Sequence, residues 1–467
     1  MIKFGTGGFR DIMNDNFNKL NVQKIAQAIC LNIKKENSKK PVVIGYDKRF
    51  MSDHASKWVA EVFAGNGVKC KLYTKPVPTP AVMYTVMNEG LDYGVTITAS
   101  HNPYYYNGLK ITKTGGRDAS VEFTTSIEKI VNKNLKIKTM PYQKAKDLGL
   151  IEDFDNIKSY MRAISKFVSK DIKNNKLKVL FNAMHGVTGE CLHILAKNYN
   201  IKKYTVLNED IDPYFEHKLP SPSESTLEEF KKQVVRGRYS VGLACDGDGD
   251  RLGVVDELGN FHTCNTLLGV IYYYLVKYRE FKGDVVKTYA TSILVEKLAK
   301  TFGFECHNVP VGFKFVSAKM AETDALLGGE GSGGLTMRNF TPSKDSLFAI
   351  SLILDAMALI NKPLSEIVQE VKNSCEYTST YIENQINFLN RNRIIKALNK
   401  KTPAFSYKCK KTTSKDGCRY EFEDGSWVMI RFSGTENLIR YYIEFATEIE
   451  CERNIKAIEK FIEKYDK

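Results

Sequence analysis

Residues 41–99, PVVIGYDKRFMSDHASKWVAEVFAGNGVKCKLYTKPVPTPAVMYTVMNEGLDYGVTITA, decide the fold class. PVVIGYD is a short apolar run of the buried-strand type, and SDHASKWVAEVF behind it sets Ala55, Trp58, Val59, Val62 and Phe63 at helical spacing. Ser52 stands where an N-cap is expected. Gly65 and Gly67 end that helix, KCKLY returns as a strand, PAVMYTVMNEG reads as a second helix and DYGVTITA as a third strand. The β-α-β-α-β order predicts a largely parallel sheet covered by helices.

Working outward, the same pattern recurs over 176–208 (KLKVLFNAMHGVTGECLHILAKNYNIKKYTVLN) and again over 283–330. The end of the chain is different. RYEFEDGSWVMIRF, 419–432, holds a DG turn between two strand-like runs, and ECERNIKAIEKFIEKY, 450–465, sets Ile455, Ile458, Phe461 and Ile462 on one helical face. Three α/β units and a small α+β unit are expected, divided as 1–150, 151–252, 253–371 and 372–467. At roughly 150 residues per domain, 467 residues suit three or four domains.

Composition narrows the class. Apolar residues at 43% and charged residues at 26% argue against wholesale disorder. Ten cysteines without a CxxC pair argue against a zinc ribbon, a thioredoxin-type site or a disulfide framework, so a reducing, cytoplasmic setting is expected. MIKFGTGGFRDI lacks the features of a signal or transit peptide, and LLGVIYYYLV from Leu267 is cut off by Lys277 before it could span a bilayer, so no membrane partner is expected. The net charge of +14 comes from lysines spread among acids and asparagines. Solvated helix faces account for it better than a nucleic-acid surface does.

Four loops could carry chemistry. TITASHNP, 96–103, brings Ser100 to the carboxyl end of a strand, where α/β sheets bind ligands. His101 follows at once, but neighbours in an extended chain point to opposite sides and no GxSxG elbow is present, which argues against a serine hydrolase. A Ser-His-Asn-Pro turn without chemistry is the plain alternative. LACDGDGDRLGVV delivers Asp246, Asp248 and Asp250 at alternate positions; carboxylates so close repel unless a hard cation sits among them. An EF-hand is excluded by Arg251 at its sixth position, where glycine is required, and by flanking strands. LLGGEGSGGL offers Glu330 and Ser332 in a glycine-rich loop that is not a P-loop. VMIRFSGTENLIRYY offers Arg431, Ser433, Gly434 and Thr435, a guanidinium fork with hydroxyls and free amides that suits a phosphate dianion as well as a plain turn.

FGTGGFR, TASHNP with YNGLK, DGDGDR, GEGSGG and RFSGTEN occur in one order, and in that order the chain resembles the α-D-phosphohexomutase superfamily over almost its full length. The resemblance implies three similar α/β domains with mixed sheets and a fourth, α+β domain resembling the TATA-binding-protein fold, set around a central cleft. It implies that Ser100 is carried as a phosphoserine, that Mg²⁺ is held by Asp246, Asp248, Asp250 and the Ser100 phosphate, and that a hexose 1,6-bisphosphate is intermediate and activator. Arg10, His101, Lys110 and Arg251 match positions that stabilise the phosphate or handle the hydroxyl proton, and a lysine base would need a depressed pKa. Glu330, Ser332 and Lys314 of VPVGFK match sugar-binding positions, and Arg431, Ser433, Gly434 and Thr435 match the grip on the non-transferring phosphate. Gly334 stands where several members have histidine, and PSPSES from Pro220 replaces a common P-E-P stretch. The expected partners are small sugar phosphates, with no nucleic acid and no membrane, in a monomer or homodimer. Glucose 1-phosphate and glucose 6-phosphate are placed first, with the mannose and glucosamine phosphates as alternatives. A metal-dependent sugar phosphatase and a non-catalytic sugar-phosphate binding protein are remoter readings.

Overall fold

The computed structural model describes residues 2–466 apart from 6–7, 134, 332, 415 and 434–436. Three of its four sheets follow one plan. In the first, Val42–Tyr46 lies between Cys70–Tyr73 and Tyr93–Ile97, all parallel, and Tyr106–Lys113 returns antiparallel beside Tyr93–Ile97. In the second, Lys178–Asn182 lies between Lys203–Leu207 and Val241–Cys245, with Leu252–Asp256 returning antiparallel. In the third, Val285–Thr288 lies between Cys306–Val309 and Leu327–Glu330, with Gly334–Met337 returning antiparallel. Each chain segment therefore leaves its third strand at the carboxyl edge, makes one loop and comes back in reverse. TASHNP, DGDGDR and the glycine loop after Glu330 are that same loop, three times over.

The strands VVIGY, VGLAC and LGGE are buried almost throughout, as sheets covered on both faces require. The helix Ser52–Gly65 buries Ala55, Val59, Val62 and Phe63 as its spacing predicts. Ser52 is not its cap. Met51 holds the N-cap position in a left-handed conformation, and the Ser52 hydroxyl instead donates to Asp47 Oδ1 at 2.7 Å.

Short edge strands escaped the sequence reading. Phe4–Gly5 and Gly8–Ile12 extend the first sheet so that Arg10 pairs with Gly108, which sets FGTGGFR against YNGLK. Ile151–Phe154 closes the same sheet beside Cys70–Tyr73, and Phe261–His262 closes the second beside Leu252–Asp256. The sheets therefore change over after Phe154 and after His262, rather than at the expected 150 and 252.

The fourth unit is an antiparallel sheet in the order Thr380–Asn387, Leu438–Phe445, Trp427–Phe432, Cys418–Phe422, Cys409–Thr413. The helix Glu448–Tyr465 packs Ile458 and Ile462 onto it and starts from a Thr447/Glu450 capping box. This unit has its own core, whereas one apolar cluster runs through the other three, from Val43 and Val82 to Phe181 and Leu243 to Leu268 and Leu352. The helix Ser346–Ile360 lies in the middle of that cluster. Its polar anchors are Asp345, which accepts from Tyr160 at 2.7 Å, and Asp355, which accepts from Ser169 Oγ at 2.6 Å and Arg279 at 2.9 Å. Among the described residues no single helix is long and apolar enough to cross a membrane.

Candidate active site

The loops of the first two units meet. Ser100 Oγ lies 3.1 Å from Asp246 Oδ2, and Lys110 donates to Asp248 Oδ2 at 2.6 Å and Asp250 Oδ2 at 3.0 Å. Thr79 Oγ1 adds a bond to Asp248 at 2.8 Å. The aspartate loop is closed on itself, because Asp246 Oδ1 accepts from the backbone N–H of Asp250 and of Arg251 at 2.8 and 3.0 Å. Its glycines are needed for approach: a Cβ on Gly247 would sit 2.8 Å from the Ser100 carbonyl oxygen.

Asp246, Asp248 and Asp250 are all buried and offer oxygens within 4.8 Å of one another. Burial, then the charges of Asp250 and Asp248, hold the Asp246 carboxyl well above its ordinary pKa. Burial also works against ionisation of Asp248, but Lys110 and Thr79 bind it and keep it below the usual value. Oδ1 of Asp248 and Oδ1 of Asp250 have no hydrogen-bond donor. Buried carboxylate oxygens without a hydrogen bond, that of Asp250 facing only cationic groups at 3.6 and 3.9 Å, are hard donors that fit a divalent cation of the Mg²⁺ kind. The buried Nε of Arg10 and of Arg251 likewise lacks an acceptor, as suits a site that receives a phosphate.

Two sequence expectations change here. Ser100 is not extended: its φ is 53°, and this left-handed turn brings its Oγ to 3.3 Å from His101 Nδ1. The two side chains that an extended chain would separate are therefore neighbours. Burial, with Arg251 and Arg10 beside it, holds His101 well below its ordinary pKa, so the imidazole is neutral at pH 7. Lys110 is the reverse case. Burial alone would lower its pKa, but Asp248 and Asp250 outweigh that and raise it, so the depressed lysine pKa needed for a base is not what this arrangement produces.

Arg10 donates from Nη1 to Asn102 Oδ1 at 2.9 Å, next to the serine. Arg251 Nε is 3.9 Å from Asp250 Oδ1. Glu330 ends the third unit's strand, and the glycine loop after it is tied to the aspartate loop by Leu252 N–H to the Gly333 carbonyl at 3.2 Å. Ser332 lies outside the described residues. Lys314, half-buried at the start of the helix Phe313–Thr323, faces Asp118 and Glu122 of the first unit; burial nonetheless leaves its pKa below the usual value.

In the fourth unit Arg431 Nε donates to Asp416 at 2.9 Å, and the Ser433 carbonyl accepts from Arg391 at 2.9 Å. Gly434 and Thr435 lie outside the described residues. Arg431 is tied to the third unit through Asp416, which also accepts from Val311 N–H at 2.6 Å.

Lys344 was missed. Its ammonium is 3.6 Å from both Asp250 Oδ1 and Glu330 Oε1, and a Cβ on Gly334 would meet Lys344 Cγ and Cδ at 2.2 Å. The glycine standing at a histidine position thus makes room for a lysine stem ten residues on. The sequence carried one half of this exchange, the glycine, without its partner.

Comparisons with known proteins bear on the family. Residues 1–138, 158–259, 263–374 and 386–460 match, in turn, the phosphoglucomutase/phosphomannomutase alpha/beta/alpha domains I, II and III and the C-terminal domain of the same family. The chain is 28% identical over 466 residues to a phosphoglucomutase/phosphomannomutase of Thermococcus kodakarensis, with 98% of each chain covered. It is 28% identical over 471 residues to a phosphoglucosamine mutase of Methanococcus maripaludis, with 97% of each covered. A crystal structure of a Thermus thermophilus protein described as a phosphomannomutase superposes with a TM-score of 0.86 at 25% identity, covering 99% of both chains. With all four domains present in order, the chain belongs to the phosphoglucomutase/phosphomannomutase family, the intramolecular phosphotransferases of the α-D-phosphohexomutase superfamily.

Proposed function

We propose that this chain interconverts a hexose 1-phosphate and its 6-phosphate by way of Ser100. The phosphoryl group on Ser100 Oγ passes to the free hydroxyl of the bound sugar, leaving serine and a hexose bisphosphate. The bisphosphate turns in the cleft and returns its other phosphoryl to Ser100 Oγ. The observation that carries this reading is the meeting of Ser100 Oγ, at 3.1 Å, with an aspartate triad in which two buried oxygens accept no hydrogen bond among the described residues.

Asp246, Asp248, Asp250 and the Ser100 phosphate would hold Mg²⁺, which supplies positive charge at the group in transfer. Arg10 and Arg251 bring to the same phosphate Nε–H groups that make no hydrogen bond among the described residues. The neutral His101 imidazole beside Ser100 Oγ is placed to take or return a proton, and Lys110, held as an ammonium, gives charge rather than base strength. Glu330 with Ser332 and Lys314 bind the sugar, while Arg431, Ser433, Gly434 and Thr435 hold the phosphate that stays.

The names of the relatives support glucosamine or mannose phosphates ahead of the glucose pair that the sequence placed first. A coupled assay with glucosamine, mannose and glucose 1-phosphates, Mg²⁺ and a catalytic amount of the matching bisphosphate ranks them. Turnover with at least one is expected, and Ser100→Ala is expected to lower it by about a thousandfold or more. Release of free phosphate without any 6-phosphate would replace the mutase reading with a phosphatase.

A further inference from the structure

Arg49 belongs to none of the four loops, yet its guanidinium, with a side chain 0% exposed, lies inside the curl of the serine loop. Nη2 donates to the carbonyl oxygens of Ser100 at 2.6 Å and Asn102 at 2.7 Å, and Nη1 to those of Pro103 at 2.8 Å and Tyr106 at 3.1 Å. Nε faces Asp47 Oδ2 at 3.3 Å, and Asp47 is itself held by Ser52. A planar fork can reach four carbonyls only when the chain bends around it. That bend contains the left-handed Ser100, and the Ser100 carbonyl that Arg49 grips is also the one packed against Gly247 of the aspartate loop.

The other side of the guanidinium belongs to the second unit. The Phe215 ring lies 5.0 Å from the guanidinium carbon. Phe215, Glu216 and His217 are three consecutive left-handed residues, with φ of 51°, 52° and 57°. Side-chain-bearing residues adopt that backbone reluctantly, and it persists where the surroundings enforce it. Here Asp212 accepts from Tyr214 N–H at 2.9 Å and Glu216 N–H at 2.7 Å, and Lys48 of the first unit donates to the Glu209 carbonyl at 2.6 Å. The same segment lays Tyr214 and His217 against Tyr104 of the serine loop, at 5.5 and 5.2 Å between ring centres.

We propose that Arg49 is a positioning residue for phosphoryl transfer, fixing the turn that aims Ser100 Oγ at the metal loop, and that the strained strap 208–218 of the second unit keeps it there through Phe215. The proposal rests on the reading of Ser100 as the phosphoryl carrier. It makes docking of the first two units a condition for a competent nucleophile.

The test uses the full chain with Mg²⁺ and ³²P-labelled glucose 1,6-bisphosphate, following single-turnover labelling of the protein beside steady-state kcat and KM. Arg49→Lys keeps the charge and loses the fork; its labelling rate and kcat are expected to fall about 30- to 100-fold, with KM within about threefold. Phe215→Ala is expected to fall about tenfold in the same two rates, and Phe215→Tyr to recover them. Near-wild-type labelling in Arg49→Lys, or a rise in KM at unchanged kcat, overturns the proposal. If Arg49→Lys does not fold, Phe215→Ala decides alone, and a wild-type labelling rate there overturns it equally. Ser100→Ala separates the two claims: label retained in that variant sinks the phosphoserine reading and the Arg49 proposal with it, whereas label lost there but unchanged in Arg49→Lys overturns the Arg49 proposal alone.

Discussion

Two sets of buried carboxylates join units of this chain, and they are built in opposite ways. Glu444, between the third and fourth units, accepts from Ser292 Oγ at 2.6 Å, Ile293 N–H at 2.9 Å, Tyr377 at 2.6 Å and Trp427 Nε1 at 2.7 Å. Both of its oxygens are used. Asp248 and Asp250, between the first and second units, bind Lys110 through Oδ2, and among the described residues their Oδ1 atoms accept no hydrogen bond, Asp250 Oδ1 having only the longer contacts to Lys344 and Arg251 at 3.6 and 3.9 Å. A carboxylate that the protein satisfies fully is an adhesive, whereas one kept half-satisfied in a buried site awaits a ligand.

The sharpest way to break this contrast is to remove one charge from each set. Asp248→Asn is expected to lower kcat by about a thousandfold or more and to weaken Mg²⁺ binding, since it removes one charged oxygen donor from the triad. Glu444→Ala is expected to do the opposite. It takes the acceptor from four donors, the buried Trp427 indole among them, and costs about 3–5 kcal/mol of unfolding free energy in denaturant titration, with Mg²⁺ affinity unchanged. Loss of Mg²⁺ affinity in Glu444→Ala without loss of stability would erase the distinction.

Asp345 sharpens it at intermediate size. This buried carboxyl, pushed up to about 7, caps a helix and accepts from Tyr160, so it too is a structural group. Its folded pKa lies above the unfolded value of about 4, so the folded state binds the extra proton, and its contribution to stability is lost as pH rises from about 4 to 7. Asp345→Asn removes that dependence. Its stability relative to wild type is expected to improve by about 2–3 kcal/mol between pH 5 and pH 8, and a constant difference across that range would contradict the assignment.

The smallest effect concerns Asp416, which binds both Arg431 and Val311 N–H. Asp416→Ala is expected to raise KM about three- to tenfold through a less well-placed Arg431, with little change in kcat.

The fold class and the loops that make up the candidate site were legible in the sequence because their causes are local. Apolar period and glycine breaks mark strands and helices, and DGDGDR writes three carboxylates in six residues. The rest was hidden because it depends on distant or single-angle events. One positive φ at Ser100 turned two side chains expected to point apart into neighbours. Arg49 holds backbone carbonyls, which have no sequence signature, and Lys344 shares a site with Gly334 only after the chain turns back on itself between Met337 and Ser346. The edge strands Phe4–Gly5, Ile151–Phe154 and Phe261–His262 are too short to show a period.

The central claim is that Ser100 carries the phosphoryl group beside the aspartate triad. Its most direct test is peptide mapping by mass spectrometry after incubation with Mg²⁺ and hexose 1,6-bisphosphate, followed by a chase with hexose 1-phosphate. The account predicts one phosphate on the peptide containing Ser100, lost in the chase as new bisphosphate forms. Phosphate on another residue, or phosphate on Ser100 that the chase leaves in place, would contradict it.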